Sequence, residues 1–266
     1  MAALVEDARR ETLDLRELLD GLSLEAEGWD RPTPADGWSV RDQITHLAFF
    51  DDAAVLSATD PQRFGAELVP ALQEGRLTPD TVATDNRDLP PAEVLAWFDG
   101  ARAELLATFG ALGPGVRVPW FGPPMSAASA LTARIMETWA HGQDVADALR
   151  VTRVPTARLR HVVHIGVGAR AFSYLAHGRE VVTDPVRVEL DAPDGERWSW
   201  GPDEAPDRVV GPALDFALLV TQRRHLDDTA LRASGQAARE WLSIAQAFAG
   251  PPGAGRAAGQ FSGVDR

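Results

Sequence analysis

The chain has 266 residues, a hydrophobic share of 45% and a formal net charge of −13. That length is enough for one large domain or two small ones, and the acidic balance opposes binding to nucleic acid or anionic lipid, since both require a basic surface. The sequence contains no cysteine, which excludes disulfides, thiolate metal ligands and a cysteine nucleophile. Any sulfur chemistry therefore needs a thiol from outside the chain, and small molecules are the expected partners.

The N-terminus and the lengths of the apolar runs predict where in the cell the protein is found. Residues 1–7 become acidic early and lack the cationic flank and apolar run of a signal peptide. No stretch of the sequence approaches the about eighteen uninterrupted apolar residues of a membrane span. We therefore expect a cytoplasmic protein.

Apolar residues spaced three and four apart predict four long helices in the first part of the chain. They cover about residues 3–22, 40–58, 92–112 and 126–149. Ser39 gives the second helix an N-cap, and a short helix is predicted near 61–74. Residues 116–125 are predicted to be an extended crossing, whose Trp120 and Phe121 either line a pocket or plug the end of a bundle. Four helices with one apolar stripe each predict a helical bundle.

The second part of the chain begins with a fifth predicted helix and then changes its periodicity. Alternating residues and turn signals predict strands, followed by two more helices. The predicted elements are a helix over 156–177, strands over 186–191, 197–200 and 209–211, and helices over 212–222 and 235–248. We expect a bundle over residues 1–178, a small α+β domain over 179–249, and a disordered tail over 250–266 that is rich in Gly, Ala and Pro.

One segment of the fourth predicted helix has the side chains of a metal site. In a helix, Glu137 and His141 face the same way, and Asp144 lies one turn further along that face. A carboxylate and an imidazole placed in this way can take adjacent positions on a divalent ion. The best candidate for a third ligand is His46 in the second predicted helix. Two histidines and one glutamate leave part of the coordination sphere open, as in catalytic metal sites.

Each of these residues also has a structural interpretation. A lone histidine such as His46 is more often a core or surface residue, and Glu137 and His141 alone fit an ordinary pair on a helix surface. Asp144 is either an acceptor that orients His141 or a metal-bound group, or it is a solvated charge.

Two segments together resemble a known family. Residues 37–48, Gly-Trp-Ser-Val-Arg-Asp-Gln-Ile-Thr-His-Leu-Ala, and residues 137–144, Glu-Thr-Trp-Ala-His-Gly-Gln-Asp, resemble the metal-binding core of the DinB-like superfamily. More narrowly, the chain resembles the branch that includes mycothiol-dependent maleylpyruvate isomerase, and the resemblance covers most of residues 1–249. It implies a mainly α fold, a DinB-like four-helix bundle with an appended small C-terminal α+β domain.

The resemblance also implies cofactors and further site residues. It implies a divalent metal, usually zinc, held by the residues that match His46, Glu137 and His141; such a ligand set also suits nickel, iron or cobalt. In many members a low-molecular-weight thiol such as mycothiol is a cosubstrate. The segment 219–224 resembles the one that contributes a substrate-facing arginine in that family, here Arg223 or Arg224. With Asp144, these arginines are the predicted catalytic residues.

Three functions are compatible with this pattern. The first is a thiol-dependent isomerase or S-transferase, in which a metal-activated thiolate attacks a small electrophile. The second is a metal-dependent hydrolase, isomerase or cyclase of secondary metabolism that uses metal-bound water or a substrate oxygen without a thiol. The third is a non-catalytic protein that holds a metal or a ligand. We favour the first, because the resemblance implies a thiol cosubstrate, and the absence of cysteine permits dependence on an external thiol.

Overall fold

The computed structural model describes residues 1–22, 24 and 26–261, and the chain divides into two compact units, Met1–Val151 and Thr152–Arg266. The first unit is helical apart from a short antiparallel strand pair. Its elements are α1 (Ala2–Asp20), α2 (Ala26–Trp29), α3 (Val40–Thr59), α4 (Pro61–Gln73), α5 (Pro79–Asp85), α6 (Pro91–Ala111), β1 (Arg117–Val118), β2 (Met125–Ser126) and α7 (Ala127–Leu149). The four predicted long helices are confirmed as α1, α3, α6 and α7, and the predicted short helix as α4.

The four long helices form a bundle in which α3 packs against α6 and α7, and α1 packs against α7 and α6. Two apolar clusters fill its interior. One contains Phe109, Leu131 and Ile135, and the other contains Ile44 and Phe98, together with further buried residues of the same helices. Burial of these apolar stripes is the main source of stability for helices of this length. The predicted helical bundle is therefore confirmed.

A layer of buried polar residues lies between these two clusters along the helices. Asp51 of α3 accepts hydrogen bonds from Arg102 Nε of α6 at 2.7 Å and from Arg134 Nε of α7 at 2.8 Å. Arg102 also donates to the hydroxyls of Thr12 and Thr138, at 3.0 and 2.9 Å. Because buried charges are stable only when they are paired and hydrogen-bonded, this layer fixes the register of all four helices.

The start of α3 is defined by a capping box. The hydroxyl oxygen of Ser39 accepts from the backbone N–H of Asp42, and the Asp42 carboxylate accepts from the backbone N–H of Ser39 at 2.8 Å. Arg87 pairs with the same carboxylate at 3.0 Å and donates to the carbonyl of Gly37. These contacts confirm the predicted N-cap and hold the loop that precedes α3, so that His46 enters the bundle in the second turn of the helix.

The second unit combines helices with a mixed sheet. Its elements are α8 (Leu159–Gly168), α9 (Arg170–Ala176), β3 (Val186–Asp191), β4 (Arg197–Trp200), β5 (Asp207–Pro212), α10 (Ala213–Val220), a 3-10 helix (Leu226–Asp228), β6 (Arg232–Ser234) and α11 (Gln236–Leu242). The strand order is β4-β3-β5-β6; β3 is parallel to β5 and antiparallel to β4, and β6 is antiparallel to β5. The predicted hairpin of β3 and β4 is confirmed, and β6 is an additional strand.

Three details of the second unit differ from the sequence expectation. The fifth predicted helix is two helices, because the chain departs from helical geometry at Ala169. The last helix ends at Leu242, since the following residues turn so that the N–H of Ala247 reaches the carbonyl of Val220 at 2.7 Å. Finally, α8 packs against α10 within this unit, so the compact units divide at Val151, earlier than the domain boundary predicted at residue 178.

Part of the C-terminal tail makes contacts within the second unit. The N–H of Gly259 donates to the carboxylate of Asp228 at 2.8 Å, and the guanidinium carbon of Arg224 lies 3.7 Å from the ring centroid of Phe261. Residues 262–266 of the predicted disordered tail lie outside the described residues. Among the residues that are described, no helix combines the length and the apolar character that crossing a membrane requires.

Candidate metal centre

Glu137 and His141 lie on one face of α7, as their spacing predicts. Nε2 of His141 is 3.2 Å from Oε2 of Glu137. Four residues correspond to about one helical turn, so no unusual backbone geometry is needed to bring the two side chains together. His141 is 8% exposed, whereas Glu137 is half-buried. The pair therefore lies at the edge of the bundle interior, where a small molecule can approach the carboxylate.

His46 of α3 joins this pair. Its Nε2 atom is 3.5 Å from Oε2 of Glu137, and its ring centroid is 4.4 Å from that of His141. The packing of α3 against α7 brings together residues that are far apart in the chain. Each of the three side chains offers one ligand atom within 4.8 Å of the others. They form the metal-ligand cluster found among the described residues.

The separations between the donor atoms fit a metal ion. Ligands about 2.1 Å from a tetrahedral zinc ion lie roughly 3.4 Å from one another. The two imidazole nitrogens stand 3.2 and 3.5 Å from the same carboxylate oxygen, which is close to that spacing. Two nitrogens and one oxygen also form the donor set of catalytic zinc sites that keep an open position.

The electrostatics of the cluster favour the protonation states that metal binding requires. Burial lowers the pKa of His46 to about 4, and the neighbouring His141 acts in the same direction. Burial by itself raises the pKa of Glu137, but the imidazoles of His141 and His46 beside its carboxylate outweigh this effect and hold that pKa well below its usual value. At neutral pH, His46 is therefore a neutral imidazole and Glu137 is a carboxylate, the forms in which these groups bind metals.

Aromatic rings surround the two imidazoles. The indole of Trp38 stacks on His141, with ring centroids 6.0 Å apart and an interplanar angle of 17°, and also contacts the ring of His46. Phe50 lies 4.6 Å from His46 between ring centroids and contacts Phe121 in turn. These rings exclude water from one side of the cluster. Trp38 and Phe50 thus contact the candidate site.

Gln43 is a further residue of the site, one that the sequence pattern did not indicate. It is fully buried, and its side-chain oxygen contacts Nδ1 of His141, while Nε2 of His141 faces Glu137. Gln43 is therefore a partner of His141 on its Nδ1 side, and the orienting role considered for Asp144 stays a prediction. One signal was available in the sequence: Gln43 precedes His46 by three residues and so shares its face of α3.

The three predicted catalytic residues lie in different surroundings. Asp144 is fully buried on α7, one turn after His141. Arg223 and Arg224 follow α10 in the second unit. The guanidinium of Arg223 donates to the carbonyl of Thr221 at 2.6 Å. Arg224 lines a cavity of about 280 Å³ within that unit, a feature that distinguishes it from its neighbour. The roles of these three residues stay predictions.

Comparisons with known proteins agree with this fold. Residues 8–146, which contain all three proposed metal ligands, match the family model described as the mycothiol maleylpyruvate isomerase N-terminal domain. The chain belongs to this family. Residues 182–234 in the second unit match a further model, described as wyosine base formation.

Relatives and solved structures extend the family match to most of the chain. Uncharacterized proteins from two strains of Mycobacterium tuberculosis are each 46% identical to the chain over 252 residues, covering 95% of this chain and 97% of the relative. Crystal structures of the mycothiol-dependent maleylpyruvate isomerase and of a mutant of it align with a TM-score of 0.57 at 16% identity, covering 88% of this chain and 92% of theirs. At that identity the likeness shows a shared fold, a DinB-like helical bundle followed by a C-terminal domain.

Proposed function

We propose that this protein is a divalent-metal-dependent enzyme that activates a low-molecular-weight thiol, of the mycothiol type, for addition to a small electrophile, as an isomerase or S-transferase. The observation that carries the proposal is the convergence of His46, Glu137 and His141 at the separations of metal ligands. Membership of the mycothiol maleylpyruvate isomerase family supports the thiol. The chain has no cysteine, so the nucleophilic sulfur must be bound from outside.

A divalent ion, most simply zinc, would supply a Lewis acid that lowers the pKa of a bound thiol toward neutrality. The three protein ligands set the charge of this site. Glu137 contributes one negative charge, and neutral imidazoles contribute none, so the site with its ion would be positive by one unit. That charge favours an anionic thiolate over a neutral thiol. The aromatic rings of Trp38 and Phe50 strengthen the effect, because they keep water away from one side of the imidazoles.

The proposed reaction is a reversible conjugate addition. Sulfur forms a bond to one carbon of an alkene that is conjugated to a carbonyl, and the alkene electron pair moves onto the carbonyl. The former double bond is now single and rotates. The electron pair then returns, and sulfur leaves with the electrons of its bond. Thiol is regenerated, no atoms are gained or lost, and no oxidant or reductant is needed. An S-transferase would stop at the protonated adduct.

We assign the three predicted catalytic residues to supporting roles. A substrate with a carboxylate suits Arg223 or Arg224, because a guanidinium binds a carboxylate through two parallel hydrogen bonds. Arg224 is the better candidate, since it lines the cavity of the second unit. Asp144, fully buried one turn after His141, is proposed to hold α7 in the orientation that presents the ligands.

The test combines metal analysis with a thiol assay. The purified protein is analysed for bound metal, then stripped with a chelator and titrated with Zn²⁺, Ni²⁺, Fe²⁺ and Co²⁺. Each form is incubated with mycothiol and maleylpyruvate, and both cis–trans isomerisation and thiol consumption are followed. His46→Asn should abolish metal uptake and turnover. The matched control is His164→Asn, which replaces an exposed histidine of α8 and should change neither.

Two outcomes would overturn the proposal. Metal uptake without any response to thiol, together with turnover of hydrolysable substrates, would favour chemistry that uses metal-bound water or a substrate oxygen. Failure of carefully prepared protein to take up metal would remove the basis of the proposal.

A further inference from the structure

Four residues of the first unit form a continuous chain of hydrogen bonds that ends at His141. The hydroxyl of Thr33 donates to the backbone carbonyl of Trp38 at 2.9 Å. The side-chain amide nitrogen of Gln43 donates to the hydroxyl oxygen of Thr33 at 2.8 Å. The side-chain oxygen of Gln43 contacts Nδ1 of His141. The chain links a proposed metal ligand on α7 to the loop that precedes α3.

The direction of every hydrogen bond in this chain follows from its first member. A backbone carbonyl can only accept, so the Thr33 hydroxyl must donate its one proton to Trp38. Its oxygen then accepts from Gln43, and only the NH₂ group of Gln43 can donate. The side-chain oxygen of Gln43 therefore faces His141, and Nδ1 of His141 must carry the proton. This leaves the lone pair of Nε2 directed toward Glu137, where the proposed ion would bind.

We propose that Gln43 is a positioning residue that fixes the Nδ1–H tautomer of His141 and so presents Nε2 as the metal ligand; this inference rests on the proposed function of the site. Metal-bound histidines commonly donate their second N–H to a fixed acceptor, which sets both the tautomer and the orientation of the ring. Gln43 supplies that acceptor. Its burial leaves no water to replace it.

The carboxylate of Glu137 competes with Gln43 for the proton of His141. It stands 3.2 Å from Nε2 and, without an ion, would draw the proton of a neutral imidazole to that nitrogen. A proton on Nε2 blocks the position that the metal needs. Gln43 opposes this outcome from the other side of the ring, so its loss should affect the tautomer even when no metal is bound.

The loop that contains the chain of hydrogen bonds is held rigidly. The N–H of Thr33 donates to the carbonyl of Trp38 at 2.8 Å, and Pro32 and Ser39 form an isolated β-bridge. Gly37 has φ of +72°, a left-handed conformation that suits glycine in this tight turn. The indole of Trp38 stacks on His141 and donates from Nε1 to Asp80 at 2.8 Å. The loop thus holds the imidazole of His141 in two ways: Thr33 acts on its Nδ1 edge through Gln43, and Trp38 stacks on its face.

The first experiment reads the tautomer directly in the metal-free protein. Long-range ¹⁵N–¹H correlation spectra assign which nitrogen of His141 carries the proton. In the native protein we expect Nδ1 to be protonated, and in Gln43→Leu we expect the proton of the neutral ring to lie on Nε2. Gln43→Glu keeps an acceptor opposite Nδ1 and should restore the native assignment. A native-like spectrum of Gln43→Leu would overturn the inference.

The second experiment measures metal affinity by competition of Zn²⁺ with a chromophoric chelator. Gln43→Leu should weaken binding by about 10- to 100-fold, and Gln43→Glu should stay near the native affinity. Thr33→Val, which removes the hydroxyl that orients the Gln43 amide, should have a smaller effect in the same direction. The control is Gln143→Leu, which removes a buried glutamine of α7 whose amide nitrogen donates to Asp147 at 2.9 Å.

The two experiments separate the inference from the proposed function. If native protein binds no metal but Gln43→Leu moves the proton of His141, the proposed function fails and the control of the tautomer by Gln43 stands. If native protein binds metal and Gln43→Leu binds it equally well, the proposed function stands and the positioning role fails. Thr33→Val provides the same comparison should Gln43→Leu not fold.

Discussion

Arg134 donates from Nε to a carboxylate oxygen of Asp51 over 2.8 Å in the buried interior of the bundle. Arg134 lies one turn before Glu137 on α7, and Asp51 lies five residues after His46 on α3. The ion pair therefore joins the two helices that bear the proposed metal ligands, close to the ligands themselves. Arg102 approaches the second oxygen of the same carboxylate at 2.7 Å. The single negative charge of Asp51 is therefore shared between two buried guanidiniums.

We predict that Asp51→Asn destabilises the protein strongly. The substitution keeps the shape of the side chain but removes the negative charge that both Arg102 and Arg134 contact, which should cost about 3–5 kcal/mol. Urea unfolding followed by circular dichroism measures the loss. The control is the adjacent Asp52→Asn. Asp52 is exposed and accepts from Trp97 Nε1 at 2.6 Å, and its replacement should cost less than about 1 kcal/mol. Equal losses would show that the buried layer does not stabilise the bundle.

Glu137→Gln should remove metal binding with little change in the fold. The amide is similar in size but lacks the negative charge, and hard or borderline divalent ions bind neutral amides weakly. We expect Zn²⁺ affinity to fall by more than about 100-fold, measured by chelator competition, and the absorption bands of the Co²⁺-substituted form to disappear. Glu104→Gln, at an exposed position of α6, is the matched control. Retention of native affinity by Glu137→Gln would exclude this carboxylate as a ligand.

Acid should destabilise the metal-free protein, because the buried His46 resists protonation in the folded state and an exposed histidine would not. The pKa of His46 is about 4 in the folded chain and about 6.5 when unfolded. Between these values the unfolded state binds a proton that the folded state does not, so stability falls as pH decreases from about 6.5 to about 4. At pH 5 the contribution of His46 is about 2 kcal/mol. Between pH 7 and pH 5, the free energy of unfolding of chelator-treated His46→Gln should fall by about 2 kcal/mol less than that of the metal-free native protein. An equal fall in the two proteins would contradict the prediction.

Substitution by alanine should have different effects on stability at Gly166 and at Gly168, both in α8. A Cβ atom at Gly166 would lie 2.7 Å from a methyl carbon of Val220 on α10, whereas nothing lies within 4 Å of one at Gly168. Gly166→Ala should therefore cost about 1–3 kcal/mol through overpacking. Gly168→Ala should be neutral or stabilise by up to about 1 kcal/mol. Thermal unfolding of both variants makes the comparison, and equal effects would show that α8 is not packed closely on α10.

Several features could be predicted from local sequence because they depend on spacing along one element. The apolar stripes that define α1, α3, α6 and α7 repeat at the helical period, and Ser39 and Asp42 form their capping box three residues apart. Glu137 and His141 meet for the same reason, since one helical turn separates them. The alternation over β3 and its turn likewise predicted the hairpin with β4.

Other features depend on which remote segments come together. The parallel pairing of β3 with β5, the packing of α8 with α10, and the early end of α11 all arise from contacts between elements far apart in the chain. No periodicity within a single element encodes such contacts. Ala169 interrupts the fifth predicted helix even though the apolar stripe continues across it.

The sequence by itself determined the bundle and the pair of proposed metal ligands on α7, and it made His46 the candidate for the third ligand, a choice that the family resemblance supported. Only the tertiary structure decided that the side-chain oxygen of Gln43 faces Nδ1 of His141. Gln43 and Asp144 each lie about one turn from a proposed ligand, and helical spacing alone cannot say what either side chain contacts. The rotation of α3 against α7 sets which side chain faces the imidazole edge, and that rotation is fixed by packing across the whole bundle.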